Sequence, residues 1–434
     1  MRRLASKLQN TILDISNNPR EVNCMNSGDT AWVLVSTALV FFMVPGLALF
    51  YGGMTRRKNV LSTLMQCIIV VCLISVQWVL LGYTLAFGPD SGFGILGNLD
   101  FICLRNVDLN PFNEYSKTIP HLAFMIFQCM FAIITPALVI GAFAERIKFS
   151  SFCIFSLLWA TFVYDPIAHW IWGAGGWLKE LGGLDFAGGM VVHGSSGFAA
   201  LVVCLLIGQR VGYQKQPFRP HNLPFTVLGA GMLWFGWFGF NGGSALEASG
   251  LAVNAFVSTN IAAAVAALTW AIWEWQKDGA PTMLGLVTGI IAGLGAITPA
   301  CGYVRPLAAI PIGILAGVFS FLAVTKLKAR LGYDDSLDVF GVHGICGVWG
   351  TIATGLFAEK AINAAGANGF LFGNVKLLLV QGLYAAVTIC YSVVVTWILY
   401  KFVDAFMGMR VERKDEIIGL DLTQHHESAY TVVE

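Results

Sequence analysis

Val192-His193-Gly194 and Val342-His343-Gly344 are two copies of one tripeptide, each set in an apolar run, with the histidines 150 positions apart. An acidic residue precedes each histidine by a short step, Asp185 in the first copy and Asp338 in the second. Ionisable side chains inside a membrane segment are costly, and they mark paths for ions or protons. One such histidine is as readily a packing residue bonded to a backbone carbonyl. A repeated pair says more: one structural unit has been used twice, and its copies can meet at one site.

The runs around the histidines belong to a chain built for lipid. Apolar residues make up 56% of the sequence and charged residues 12%, about half the charged share of a soluble protein. The 48 glycines suit close helix packing in a bilayer. Stretches free of Asp, Glu, Lys and Arg fall at 30–55, 59–89, 118–144, 149–164, 186–209, 220–246, 248–273, 279–304, 306–325, 339–358 and 377–400. All but the fourth reach about 20 residues, the length that crosses the hydrocarbon core. The fourth is broken at Asp165-Pro166 and resumes through Trp172. Eleven crossings place the two ends on opposite sides.

Basic residues in the short loops set the orientation. With the N-terminus outside, inner loops hold Arg56, Arg57, Lys58, Arg146, Lys148, Arg210, Lys215, Arg219, Lys277, Lys326, Lys328 and Arg330, against Arg105, Lys117, Lys179, Arg305, Lys360 and Lys376 outside. Arg2, Arg3, Lys7 and Arg20 dissent, but only Arg20 stands near enough to a span to count. The expected layout is an extracytoplasmic tail over 1–29, a membrane domain over 30–403 and a cytoplasmic tail over 404–434, in a cell (inner or plasma) membrane. Residues 1–29 hold no continuous apolar run, so no intact signal peptide is read there, and Met1 and Met25 are both open as starts. The ten cysteines lie mostly within spans and form no Cys-x-x-Cys pair, which reads as packing.

A second echo supports duplication. The first span ends in Phe50-Tyr51-Gly52-Gly53 and the sixth in Phe240-Asn241-Gly242-Gly243. Spans one to five (about 30–209) thus correspond to six to ten (about 220–358), with the eleventh (about 376–403) left over. Five spans is an odd number, so the halves enter from opposite faces, an inverted repeat that places substrate sites near the midplane. The fold class is an all-α integral membrane protein, and both histidines are expected deep in the membrane, facing one another.

These features together resemble the ammonium transporter (Amt/Mep/Rh) family, its bacterial Amt branch most closely, over about Asp29 to Tyr430. The matching motifs are Pro45-Gly46 with Phe50-Tyr51-Gly52-Gly53, Gly141-Ala142-Phe143-Ala144-Glu145-Arg146, Asp185-Phe186-Ala187-Gly188-Gly189, Gly236 to Ser244, Thr298-Pro299-Ala300-Cys301-Gly302, and Asp338 to Gly344. The resemblance implies a homotrimer with one pore per subunit. It also implies an outer ammonium site at Trp172 and Ser244, with Asp185 supporting it through architecture and electrostatics. A gate at Phe131 and Phe240 and twin pore histidines at His193 and His343 would follow. A trimeric PII-type signal protein on the cytoplasmic face is an implied partner. Gly419-Leu420-Asp421 and Glu427-Ser428-Ala429-Tyr430 resemble the family's C-terminal regulatory segment, with His426 standing where glycine is usual.

The chemistry also stands on residue types alone. An indole face holds a dehydrated small cation by about 2 kcal/mol, but a bare ion in a medium of dielectric about 4 costs of order 20 kcal/mol. Removing a proton from a group of pKa about 10 at pH 7 costs only about 4 kcal/mol. An apolar pore therefore favours neutral ammonia, with or without the proton following. Two imidazoles offer a donor and an acceptor each. The competing reading is a membrane sensor that binds ammonium and conducts little. Neither a nucleophile–base set nor a cofactor fingerprint is present, so no enzyme and no cofactor are expected. His121 and His169 read as interfacial, Glu145-Arg146 as a local cap or pair, and Glu247 as a cation attractor near Ser244.

Overall fold

The computed structural model describes residues 25–430. The readings on residues 1–24, including Arg2, Arg3, Lys7 and Arg20, and on residues 431–434 lie outside the described residues. Eleven helices pass back and forth between two faces: α1 (Ser27–Met54), α2 (60–87), α3 (His121–Phe143), α4 (149–172), α5 (Gly189–Ile207), α6 (Leu223–Gly243), α7 (Gly250–Asp278), α8 (Met283–Ile297), α9 (309–331), α10 (Phe340–Phe357) and α11 (Val375–Met407). Two short helices follow, α12 (Arg413–Ile418) and α13 (Leu420–His425). Helix starts follow from side-chain caps. Asn26 accepts from the amides of Gly28 and Asp29, Asn222 from Phe225, Thr282 from Gly285, and Asn374 from Leu377, each satisfying an orphan donor of a first turn. The face reached by α1's end, together with α12 and α13, is called here the tail face. The opposite face is the vestibule face.

Ten of the eleven are long and apolar enough to cross a membrane, and α8 is shorter, at 15 residues. The expected span 279–304 is thus helical only through Ile297, after which the chain turns on itself through Val304. The fourth span corrects the sequence reading in the other direction. Its helix is unbroken at Asp165-Pro166, passing through a π turn at Ala160–Tyr164. Proline leaves the carbonyl four residues earlier without its donor, and the Tyr391 hydroxyl donates to that Phe162 oxygen at 2.9 Å. Asp165 is buried, accepting from Gln77 Nε2 at 2.8 Å. His121 and His169 are likewise buried rather than interfacial. His121 pairs with the Tyr83 hydroxyl, and His169 sits between the Ala86 carbonyl and Asp90. The connection between α2 and α3 holds one strand pair, Pro111–Phe112 with Ser116–Pro120, absent from the all-α expectation.

The duplicated spans pack on each other. α1 crosses α6 at Gly46 and Gly229, where a Cβ on Gly229 would stand 2.3 Å from the Phe50 nitrogen. α5 crosses α10 as closely: a Cβ on Gly197 would lie 2.2 Å from the Gly344 nitrogen, and one on Gly347 2.5 Å from the Gly189 oxygen. Small residues let helix backbones approach in this way. On the tail face a buried ion cluster joins several loops. Glu145 pairs with Arg56 and Arg210, and Arg210 also grips Asp334. Arg146 donates to the Ala142, Gly208 and Asp334 carbonyls. Arg146 thus caps carbonyls at the end of α3, one of the two local roles read from the sequence, and both residues also join separate segments. Burial pushes the Glu145 carboxyl up, but Arg210 and Arg56 outweigh it and hold the group below its ordinary range.

Candidate pore and its outer vestibule

Trp172, at the C-terminal end of α4, stands on a cavity of about 440 Å³ open to the vestibule face, which Phe131, Ser244, Tyr115, Gln128 and Tyr303 also line. Its indole Nε1 donates to the Asp185 carbonyl at 2.8 Å. The Ser244 hydroxyl donates to the Phe240 carbonyl at 2.8 Å, so its oxygen lone pairs remain able to accept. Phe131 meets Trp172 edge-on at 5.8 Å between centroids and Phe240 at 4.3 Å. The two phenylalanines thus close the floor of the vestibule.

Beneath them lies a cavity of about 10 Å³, lined by His193, His343, Leu138, Leu233, Trp237 and Ile291 among other apolar side chains. That volume corresponds to about one water-sized sphere. The histidine rings are nearly parallel, 16° apart, with their Nδ1 atoms 3.3 Å from one another. Two Nδ1 atoms bonded to each other must differ, one carrying the hydrogen and one accepting it. The two Nε2 atoms then differ in the opposite sense. Nε2 of His193 is buried without a protein partner. Trp237 stacks on His193 at 5.3 Å and is itself fixed by donating to the Thr298 hydroxyl.

Both histidines sit on π-helical turns, Gly189–Gly194 and Phe340–Gly344. Such turns are rare and cluster at functional sites. Asp185 caps the first. Its carboxylate accepts from the amides of Gly188 and Gly189 at 2.7 Å, from Met190 at 2.9 Å and from the Tyr384 hydroxyl at 2.7 Å. It is 5% exposed. The counterpart on the second turn is Asp335, not Asp338: its carboxylate accepts the Phe340 amide at 2.8 Å, while Asp338 pairs with Lys328 at 2.6 Å.

The family model for the Ammonium Transporter Family matches residues 31–430. The ammonium transporter of Bacillus subtilis is 51% identical over 406 residues, covering 94% of this chain and 99% of that protein. The crystal structure of Saccharomyces cerevisiae Mep2 superposes with a TM-score of 0.84 at 38% identity, covering 90% of this chain and 89% of that one. A structure of a sensor Amt protein also reaches 0.84, at 29% identity and with 92% and 98% covered. The chain belongs to the ammonium transporter family. In this transporter six of the residues singled out from sequence form one contact series, from Trp172 to Phe131, Phe240, His193 and His343 with Ser244 bonded at Phe240, and Asp185 holds Trp172 from the side. Glu247, singled out as a cation attractor, is exposed near Ser244. Three partners were missed. Asp335 stands eight residues before His343, as Asp185 does before His193, so equal spacing could have found it. Trp237 lay inside a motif already noted. Tyr384 on the unpaired eleventh helix left no signal, since only the fold brings it to Asp185.

Proposed function

We propose that the protein recruits ammonium at Trp172 and Ser244, where it gives up a proton to water in the vestibule, and passes ammonia between Phe131 and Phe240 along His193 and His343, with or without the proton following by its own route. The observation that carries this reading is the bonded imidazole pair in an apolar lumen one small molecule wide. A bare cation there costs of order 20 kcal/mol, whereas losing a proton costs about 4 kcal/mol. Sodium and potassium have no proton to lose. The carboxylate of Asp185 keeps its charge turned into backbone amides, fixing the loop that carries the Trp172 contact rather than binding the cation directly. The reading includes residence in the cell membrane with the vestibule face outward and the C-terminal tail in the cytoplasm. The boundaries are those of a repeat of about 30–209 and 220–358 with an added helix, assembled as a homotrimer. A PII-type protein is the fitting partner for the tail face, because a three-fold partner meets three equal subunits through equivalent contacts.

Uptake of labelled methylammonium into proteoliposomes, beside current recordings with ammonium against potassium, tests the proposal, because uptake reports passage whether or not the proton follows. His193→Ala and His343→Ala should each abolish uptake or relax its selectivity while the protein stays folded. Wild-type uptake and selectivity in both variants would refute the assigned roles. Ammonium binding without current or flux in the unaltered protein is the outcome that the sensor alternative requires.

A further inference from the structure

The vestibule that faces the proposed ammonium site carries a cation of the protein's own. Among the residues lining it, the charged side chains are Lys179, Glu114 and the inward-turned Asp185. Lys179 follows the end of α4 by seven residues, and its ammonium nitrogen lies 3.3 Å from the Trp172 carbonyl oxygen and 3.5 Å from that of Gly173. These contacts are longer than a well-formed N–H···O bond, so the group is seated without being locked. Chemically it is a primary alkylammonium resting on carbonyl oxygens, the same class of ion as methylammonium on the same class of acceptor. A tethered group is present at its site at an effective concentration of order millimolar, which weighs against a dilute free cation arriving from outside.

We propose that Lys179 is a specificity-tuning residue that acts as a tethered competitor, holding down the affinity of the outer site for free ammonium, with Glu114 as its electrostatic counterweight. This rests on Trp172 and Ser244 forming that site. A unit charge lining the same vestibule as the bound cation, at a dielectric between that of a protein surface and water, changes binding roughly two- to fivefold. Lys179 touches neither the gate nor the histidines, so it acts on entry and not on passage.

The test is the concentration dependence of labelled methylammonium flux into proteoliposomes, with ammonium as competitor. Lys179→Met, which keeps most of the length and removes the charge, should lower KM about two- to fivefold with maximal flux unchanged. Lys179→Arg, which keeps the charge, should stay near the unaltered KM, and Glu114→Gln should raise it. Equal KM values for Lys179→Met and the unaltered protein would overturn the proposal, as would a shared loss in Met and Arg variants, which marks a packing role. If the unaltered protein carries neither ammonium current nor flux, the transport reading itself fails, and that outcome is separable because it appears before any substitution.

Discussion

Asp185 shows how a buried charge can serve a pore without entering it. Five donors surround its two oxygens, counting the Val191 amide at 3.4 Å, and charge-assisted bonds of this kind are the stronger ones. Asp185→Asn turns an amide NH2 toward backbone N–H groups that need an acceptor. The expected loss is roughly 2–4 kcal/mol of stability, with ammonium current reduced because the Trp172 loop loses its brace. Thermal unfolding in detergent beside current recordings checks this, and a variant that melts and conducts normally would remove Asp185 from the design. The residue was legible in the sequence as an acid ahead of a histidine. Its symmetry mate was passed over for Asp338, because Asp334, Asp335 and Asp338 crowd one short loop and the equal spacing of eight residues to the histidine was the one sequence clue that separates the cap from the ion pairs.

Among elements, α13 ends on a residue that its shape does not favour. His426 has φ 58°, a left-handed conformation at the helix C-cap where glycine avoids the Cβ clash. The helix is still held, by the Leu420 amide on Asn59 and by Asp421 accepting the Ser62 amide. His426→Gly should relieve about 1 kcal/mol of local strain, and hydrogen exchange should slow across 420–430. Faster exchange there would mean that His426 adds a contact worth more than its strain. Charge-free runs made the eleven spans and their order readable, since a bilayer tolerates few alternatives. The π turns were not readable. Their extra residue per turn leaves composition unchanged and shows only as a shift in which side chains face the lumen. The end of α8 at Ile297 was missed for a related reason: the turns that follow it are buried and as apolar as the helix.

At the scale of the whole molecule, acid should act on the tail face with two opposed signs. Burial raises Asp335 to about 6, above an unfolded value of about 3.9. The folded chain therefore holds the extra proton between these values, and stability rises as pH falls from 7 toward 4, by about 3 kcal/mol at most. Burial pushes Glu145 and Asp334 up as well, yet arginine partners leave both net below their ordinary range. Their contribution is present above about pH 4 and is lost as pH falls through the folded values. Thermal midpoints should thus rise and then collapse on acidification, and Asp335→Asn should erase the rise. A second expectation concerns the two halves, which the glycine crossings and the Glu145–Arg210–Asp334 cluster pin together. Phe42 on α1 and Phe235 on α6 meet edge-on at 6.3 Å. Cysteines there, bridged by a short bismaleimide after Cys24, Cys72, Cys103 and Cys390 are made Ala, should leave ammonium flux within about twofold of the unbridged protein, although each crosslinked molecule has lost any freedom to rock. A steep loss on bridging would show that the halves must part. With the frame fixed, the proposed path moves only two phenyl rings, and such a path has no empty-carrier return step. Unlabelled ammonium placed on the far side of the membrane then has nothing to hasten, and the efflux of labelled methylammonium should show no trans-stimulation.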